Sequence, residues 1–225
     1  MSTRTFSIKE MAQIQSELNN RMCADSGTSN WYDFLTPDMV RTQMYCEVAE
    51  LLKETGVAFK WWKSPSHPFD RFAFNMEIID IWHFYLSYWM LEGRQDLFMD
   101  VPVEDIINGG PSLFDAEGHL CHEAFNYFVT ELQNPNIYHV IELMVAGGQM
   151  SPEEFCGMYA AKATLNSIRM SAGYKEGRYV NKPADGVEDT ARLEYIVDAF
   201  VRDENFDLNQ IKASVLEEFF DVIGA

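Results

Sequence analysis

The chain has 225 residues, of which 47% are hydrophobic, and carries a formal net charge of −18. This length suits one domain with a sizeable core, and we expect that domain to span residues 1–225. So acidic a surface disfavours nucleic-acid binding, and no apolar run reaches the ~18 residues that a membrane span needs. The four cysteines form no CxxC pair and the N-terminus has no apolar signal stretch, which predicts a cytoplasmic protein with reduced thiols.

The first half of the chain carries signals for three helices. Ser7 and Glu10 have the spacing of a capping box at the start of the first helix. The second is predicted to begin at Pro37, since proline is favoured at the first helical position, and to run for about 25 residues to a point before Pro65. The third is rich in aromatic residues and is predicted over about 68–92.

The second half is less regular at first and then helical again. The region from about 93 to 150 contains several loop signals, and we expect an insertion of shorter helices packed on the main bundle. A further helix is predicted from Pro152 to a stop at Gly173, and a last one from Asp207 through Ile223. Strand-like alternation is nearly absent, so the fold class is predicted to be an all-α helical bundle.

Two pairs of acidic residues interrupt the apolar pattern of the second and third helices. Glu47 and Glu50 form the first pair, and Glu77 and Asp80 form the second. Residues three apart share a helix face, and carboxylates beside apolar surface repel one another and resist desolvation. A divalent cation removes that cost. Mg²⁺ prefers oxygen ligands and keeps coordination positions for water and phosphates. The four carboxylates are therefore candidate Mg²⁺ ligands, and the bound ion would activate a water molecule next to a triphosphate.

Other interpretations of these residues stay open at this point. Paired acids in an acidic helical protein are often only a solvated face. Asp80 and His83 also have the three-residue spacing found in diiron carboxylate bundles, although those bundles use a glutamate with the histidine. His119, Cys121 and His122 are close enough in sequence to suggest zinc, but a fourth ligand is not evident.

A basic set follows on the helix that begins at Pro152. Lys162, Asn166 and Arg169 recur on one helix face, and Lys175 comes after the glycine stop. Cations and an amide aimed at one place suit a polyphosphate, whereas the alternative is a surface patch that makes salt bridges. Lys63 follows the first acidic pair and could reach a phosphate or extend along apolar surface.

Several separated segments resemble the dimeric all-α dUTPases, which are relatives of phage dCTP/dUTP pyrophosphatases and of MazG-like enzymes. The order and spacing of the segments agree with the family over most of the chain. The segments that carry the resemblance are 15–19 (a QxxLN element), 47–52, 60–63, 77–84 and 159–177.

The resemblance implies a role for each matched residue. Mg²⁺ would be coordinated by Glu47, Glu50, Glu77 and Asp80, and Glu50 would orient or deprotonate the attacking water. The phosphates would be bound by Lys162, Arg169 and Lys175, with Lys63 as a further candidate. The nucleoside would be contacted by Gln15, Asn19, His83, Phe84 and Asn166.

The implied reaction is Mg²⁺-dependent hydrolysis of dUTP to dUMP and pyrophosphate, in a homodimer whose subunits both contribute to each site. The family element often continues with aspartate, and here Asn20 follows Asn19, so dUDP and dCTP stay open as substrates. A dCTP-preferring or relaxed MazG-like pyrophosphatase is the first alternative. The second is a non-catalytic acidic helical interaction protein.

Overall fold

The chain is all-helical in a computed structural model, which describes residues 4–24, 30–55, 68–180 and 186–219. Within these residues it forms eight α-helices and no β-strand, which confirms the predicted fold class. In chain order the helices are α1 (Ile8–Cys23), α2 (Pro37–Glu54), α3 (Arg71–Leu91), α4 (His122–Glu131), α5 (Ile137–Gly147), α6 (Pro152–Ser171), α7 (Asp189–Arg202) and α8 (Leu208–Glu218). None of these described helices combines the length and the apolar character of a membrane span.

Side-chain caps begin the helices where the sequence places them. The Ser7 hydroxyl accepts the Glu10 N–H, and the Glu10 carboxylate accepts the Ser7 N–H at 2.7 Å. Thr36, Ser151 and Asp207 likewise accept first-turn N–H groups at α2, α6 and α8. These bonds satisfy backbone donors that a helix start otherwise leaves without partners.

The helix ends agree less well with the predictions. The structure ends α2 at Glu54, earlier than expected, because the Thr55 hydroxyl donates to a carbonyl of the last turn at 2.7 Å and competes with the helical pattern. The remainder of that predicted helix falls in 56–67, outside the described residues. The last helix, α8, ends at Glu218, and 220–225 also lie outside the described part.

The third helix is the centre of the bundle. It is apolar around most of its circumference, and side chains such as Phe74, Ile78 and Trp82 are completely buried. It packs against α1, α2 and α6. Its two acidic residues, Glu77 and Asp80, are therefore held half-buried between helices.

The region between α3 and α6 contains short helical segments, as expected. Two 3-10 turns, Gln95–Leu97 and Val103–Asp105, precede α4 and α5. Buried side chains from this region, including Phe128, Ile141 and Met144, belong to the same hydrophobic core as α3. The region therefore packs on the bundle and covers part of its core.

The last two helices pack on α6, and α7 is absent from the sequence-based predictions. Its start is hard to recognise because Glu188, at its N-cap, makes no capping hydrogen bond. Close approach to α6 occurs at Gly157, where an added Cβ would lie 2.8 Å from the Phe200 ring and 3.3 Å from Ile211. Only glycine leaves room for these two side chains.

We expect Gly157→Ala to destabilise the protein by about 1–3 kcal/mol, because an added methyl group overpacks the contact between α6 and the two C-terminal helices. Thermal unfolding followed by circular dichroism measures the effect. Ser171→Ala, on the exposed end of the same helix, is the matched control. An unchanged melting temperature for Gly157→Ala would show that α7 is not packed this closely.

Candidate active site

Three carboxylates meet between α2 and α3. Glu47 from α2 and Glu77 and Asp80 from α3 each offer one oxygen, and these oxygens all lie within 4.8 Å of one another. Each residue is half-buried. Three oxygen donors from two helices, open on one side, form a set that suits a hard divalent cation such as Mg²⁺.

The surroundings of the acidic cluster raise the pKa values of two of its carboxyl groups. Burial, followed by the charge of Asp80, raises the pKa of Glu47 to about 7 and that of Glu77 to about 8, while Lys162 acts in the opposite direction. A hydrogen bond also joins Glu47 to Glu77. The metal-free cluster therefore holds protons near neutral pH, and a divalent cation would take their place.

A buried lysine sits beside the acidic cluster. Lys162 of α6 places its Nζ 2.7 Å from Asp80 Oδ2, with only 7% of the lysine side chain exposed. A buried ammonium needs such a partner, because its charge is otherwise costly to remove from water. The pair lowers the net charge of the cluster and puts a cation at its edge, where an incoming phosphate would arrive.

Glu50 is not part of the three-carboxylate group. Its carboxylate is half exposed and pairs with Lys53 at 2.7 Å, three residues further along α2. Its charge still contributes to the raised pKa values of Glu47 and Glu77. Exposed pairs of this type contribute little free energy, so a rotation of Glu50 toward the cluster costs little.

The remaining basic and amide residues of α6 are also engaged. Arg169 donates to Asn166 Oδ1 through Nη1 at 3.0 Å and to both oxygens of Asp189 through Nε and Nη2, at 2.8 and 2.7 Å. Burial opposes the charge on Arg169, but Asp189, then Tyr179 and Asp80, raise its pKa. The effect of Asp80 indicates that Arg169 lies in the electrostatic field of the acidic cluster.

Asp189 was missed by the sequence analysis, whose candidate site residues end at Lys175. In the structure, Asp189 at the start of α7 is buried against Arg169. Burial opposes its ionisation, but hydrogen bonds from Arg169 and Tyr179 hold the pKa of Asp189 below its usual range. An acidic residue in the first turn of an amphipathic helix was the available signal.

A chain of buried hydrogen bonds joins α1 to α3. Gln15 Nε2 donates to Asn19 Oδ1 at 2.8 Å, and Asn19 Nδ2 donates to Ser87 Oγ at 2.9 Å. Ser87 Oγ donates in turn to the His83 carbonyl at 2.9 Å. The side-chain amide of Gln15 also contacts His83 Nδ1 directly.

His83 lies at the end of this chain. Its Nε2 is buried without a hydrogen-bond partner among the described residues. The ring stacks on Tyr159 with a centroid distance of 4.6 Å. Burial lowers the pKa of His83 to about 4, so the imidazole is neutral at pH 7.

Other residues implicated by the sequence lie further from the carboxylates or have no established position. Phe84 is partly buried against the core. Lys175 is exposed and donates to the Met22 carbonyl at the end of α1. Lys63 lies outside the described residues.

The two other metal hypotheses gain no support from the described residues. Neither His119 nor His83 belongs to a group of three or more potential ligands, and the only such group found in the described ranges is the acidic cluster. His119 instead lies 3.6 Å from Asp115. The zinc and diiron arrangements suggested by sequence spacing are not assembled in this part of the chain.

Comparison with known proteins supports the family to which the sequence is similar. A family profile described as dUTPase matches residues 7–174, and a search of curated proteins found no match. The match defines the class of protein as a helical nucleotide hydrolase. Since it covers well over half of the sequence, the chain belongs to the all-helical dUTPase family. The resemblance noted in the sequence is thereby confirmed.

We expect the metal-free protein to lose stability as pH rises from about 5 to about 8. Glu47 and Glu77 have pKa values of about 7 and about 8, above their ordinary value of 4.5. The favourable contribution of these two protonated carboxyl groups to the free energy of unfolding is therefore complete below pH 4.5. It is lost as pH rises through their folded-state pKa values of about 7 and about 8. Added Mg²⁺ should raise the melting temperature most at pH 8, because bound metal relieves the repulsion.

Melting temperatures measured in EDTA and in Mg²⁺ across this pH range test the expectation. Glu77→Gln serves as the comparison, since it removes one titrating group and should flatten the pH dependence in EDTA. A melting temperature that is independent of pH, or an equal effect of Mg²⁺ at pH 5 and pH 8, would contradict it.

Proposed function

We propose that the protein hydrolyses dUTP to dUMP and pyrophosphate with Mg²⁺ bound by Glu47, Glu77 and Asp80, and with Glu50 as a further ligand. The observation that carries the proposal is the half-buried acidic cluster with the Lys162 ammonium at its edge. Bound Mg²⁺ would neutralise phosphate charge and lower the pKa of a water molecule. The residues of the chain bind the substrate, orient it and accept the proton.

The phosphate end of the substrate is bound by cations in an otherwise acidic protein. With a net charge of −18, the surface repels a triphosphate unless cations are concentrated locally. Lys162 and Arg169 lie on one face of α6, beside or within the field of the acidic cluster. We assign these two residues, together with Lys175 and Lys63, to phosphate binding.

The base is recognised by the polar chain between α1 and α3. Gln15 and Asn19 are oriented by their mutual hydrogen bond and by Ser87, which suits recognition of fixed donors and acceptors. With its proton on Nδ1, His83 would present the buried Nε2 as an acceptor, and uracil carries an N3–H donor where cytosine carries an unprotonated nitrogen. This difference would favour dUTP over dCTP, and we assign Asn166 and Phe84 to contacts with the sugar and base.

Glu50 is the proposed general base. It is close enough to affect the pKa values of Glu47 and Glu77, and its weak pair with Lys53 leaves it able to turn toward a water over the cluster. As the outermost of the four proposed ligands, Glu50 would be placed to accept a proton from the attacking water while the three clustered carboxylates keep the metal.

We expect Glu50→Gln to lower kcat by about 100-fold or more, because glutamine keeps the shape of the side chain and cannot accept the proton. Asp38→Asn is the matched control, since Asp38 is also an exposed acid on α2 that pairs with a basic residue three positions away. Pyrophosphate release and the melting temperature are measured for both variants. Retention of hydrolysis by Glu50→Gln would remove Glu50 from this role.

A substrate panel tests the function itself. We expect pyrophosphate release from dUTP to exceed that from dCTP at least about tenfold, because a site that pairs with the N3–H of uracil rejects a base that lacks it; dTTP and the ribonucleotides complete the panel. A preference for dCTP, or equal rates, would favour the relaxed MazG-like alternative. Absence of hydrolysis on every nucleotide, dUDP included, would favour the non-catalytic interaction protein.

The proposal includes a homodimer located in the cytoplasm. Large apolar side chains are exposed close together in the chain before and along α2, at Tyr32, Phe34, Met39 and Tyr45. A cluster of this kind is typical of a surface that packs against another protein. Sedimentation of the purified protein would show a single species of twice the chain mass if the proposal holds.

A further inference from the structure

Asp189 is saturated with hydrogen-bond donors. One carboxylate oxygen accepts from Arg169 Nε at 2.8 Å and from the Tyr179 hydroxyl at 2.8 Å. The other accepts from Arg169 Nη2 at 2.7 Å and from the Thr190 backbone N–H at 2.7 Å. Its side chain is only 4% exposed. A buried carboxylate with this set of donors is held rigidly.

Arg169 is correspondingly constrained at one edge. A guanidinium has five N–H groups. Nε donates one to Asp189, and Nη2 donates one to Asp189 and one to the Thr190 hydroxyl, the last at 3.1 Å. Nη1 donates one to Asn166 at 3.0 Å. Among the described residues, the second N–H of Nη1 has no partner and is the donor available to a ligand.

The free edge of the guanidinium is directed along α6. Asn166, which Nη1 contacts, is one helical turn before Arg169, and Lys162 is one turn before Asn166 on the same face. Lys162 in turn contacts Asp80 in the acidic cluster. The Nη1 edge therefore points toward the cluster, whereas the opposite edge is held by α7.

We propose that Asp189 is a positioning residue, which holds Arg169 so that its Nη1 edge meets the phosphate groups bound next to Lys162. The inference rests on the proposed function, because it assumes that polyphosphate binds at the acidic cluster. Asp189 lies beyond residues 7–174, which the family profile matches. A C-terminal helix outside the matched segment thus contributes indirectly to phosphate binding.

Competition between Asp189 and phosphate for Arg169 is the opposite possibility, and the contacts argue against it. Release of Arg169 to a phosphate would leave the buried Asp189 carboxylate without an opposing charge, which is costly. Tyr179 and Thr190 would also keep Asp189 in place. The two ideas predict opposite changes in phosphate affinity when the Asp189 charge is removed. Positioning predicts weaker phosphate binding, and competition predicts tighter binding.

The test measures Mg²⁺-dependent binding of pyrophosphate by calorimetry together with dUTP kinetics. Asp189→Asn should weaken pyrophosphate binding and raise the KM for dUTP, each about tenfold, with kcat changed less than the KM. Asp198→Asn is the matched control, because Asp198 forms an exposed pair with Arg202 on the same helix. This control should leave both quantities unchanged.

A double-mutant cycle separates positioning from general stabilisation. In an Arg169→Ala background, adding Asp189→Asn should weaken pyrophosphate binding by a further factor of less than about two, because Asp189 acts through Arg169. Equal losses in both backgrounds would overturn the proposal. If Asp189→Asn fails to fold, Tyr179→Phe replaces it in the same cycle, since this change removes one bond that anchors Asp189, with a smaller loss expected in the same direction.

Failure of the inference and failure of the proposed function are distinguishable. Hydrolysis of dUTP by the wild-type protein with unchanged or tighter pyrophosphate binding in Asp189→Asn would overturn the positioning role and leave the function intact. Pyrophosphate binding that depends on Asp189, without hydrolysis of any nucleotide, would uphold the positioning role and overturn the function. Absence of both binding and hydrolysis in the wild-type protein would overturn both.

Discussion

The organisation of this protein depends on the burial of three carboxylates between two packed helices. Glu47, Glu77 and Asp80 repel one another where little water screens them. The Lys162 ammonium from α6 offsets part of that repulsion. Protons or a bound cation, shared among the carboxylates, would offset more of it. Because α3 is otherwise apolar and central, the energetic cost is confined to one edge of the core, where we propose that the metal and the substrate bind.

The elements around this edge supply complementary functions from different sides. The α6 helix presents Lys162, Asn166 and Arg169 along one face, and α1 reaches α3 through Gln15 and Asn19. Apart from Asn166, which is bonded to Arg169 on the same helix, each of these side chains is held by a partner on another helix. The site is thus pre-organised by packing between helices and requires little ordering when a ligand binds.

Much of the fold and part of the site could be predicted from local sequence patterns. Caps such as Ser7 with Glu10 depend on neighbouring residues, and the i, i+3 spacing was enough to place Glu77 beside Asp80. The pairing of Glu50 with Lys53 depends on side-chain rotamers, which spacing does not determine. Asp189 was missed because its partner, Arg169, lies 20 positions earlier and is brought to it only by the packing of α7 on α6.

The attachment of α7 at two points sets the size of the smallest stable unit. Gly157 fits closely against Phe200, and Arg169 is paired with Asp189, so α6 is bound by α7 near its start and near its end. A fragment that stops at residue 174 would expose the apolar surface around Gly157 and leave the arginine charge uncompensated. The packing of α7 on α6 therefore crosses the boundary of the family profile, and a boundary drawn from sequence similarity alone would cut through these contacts.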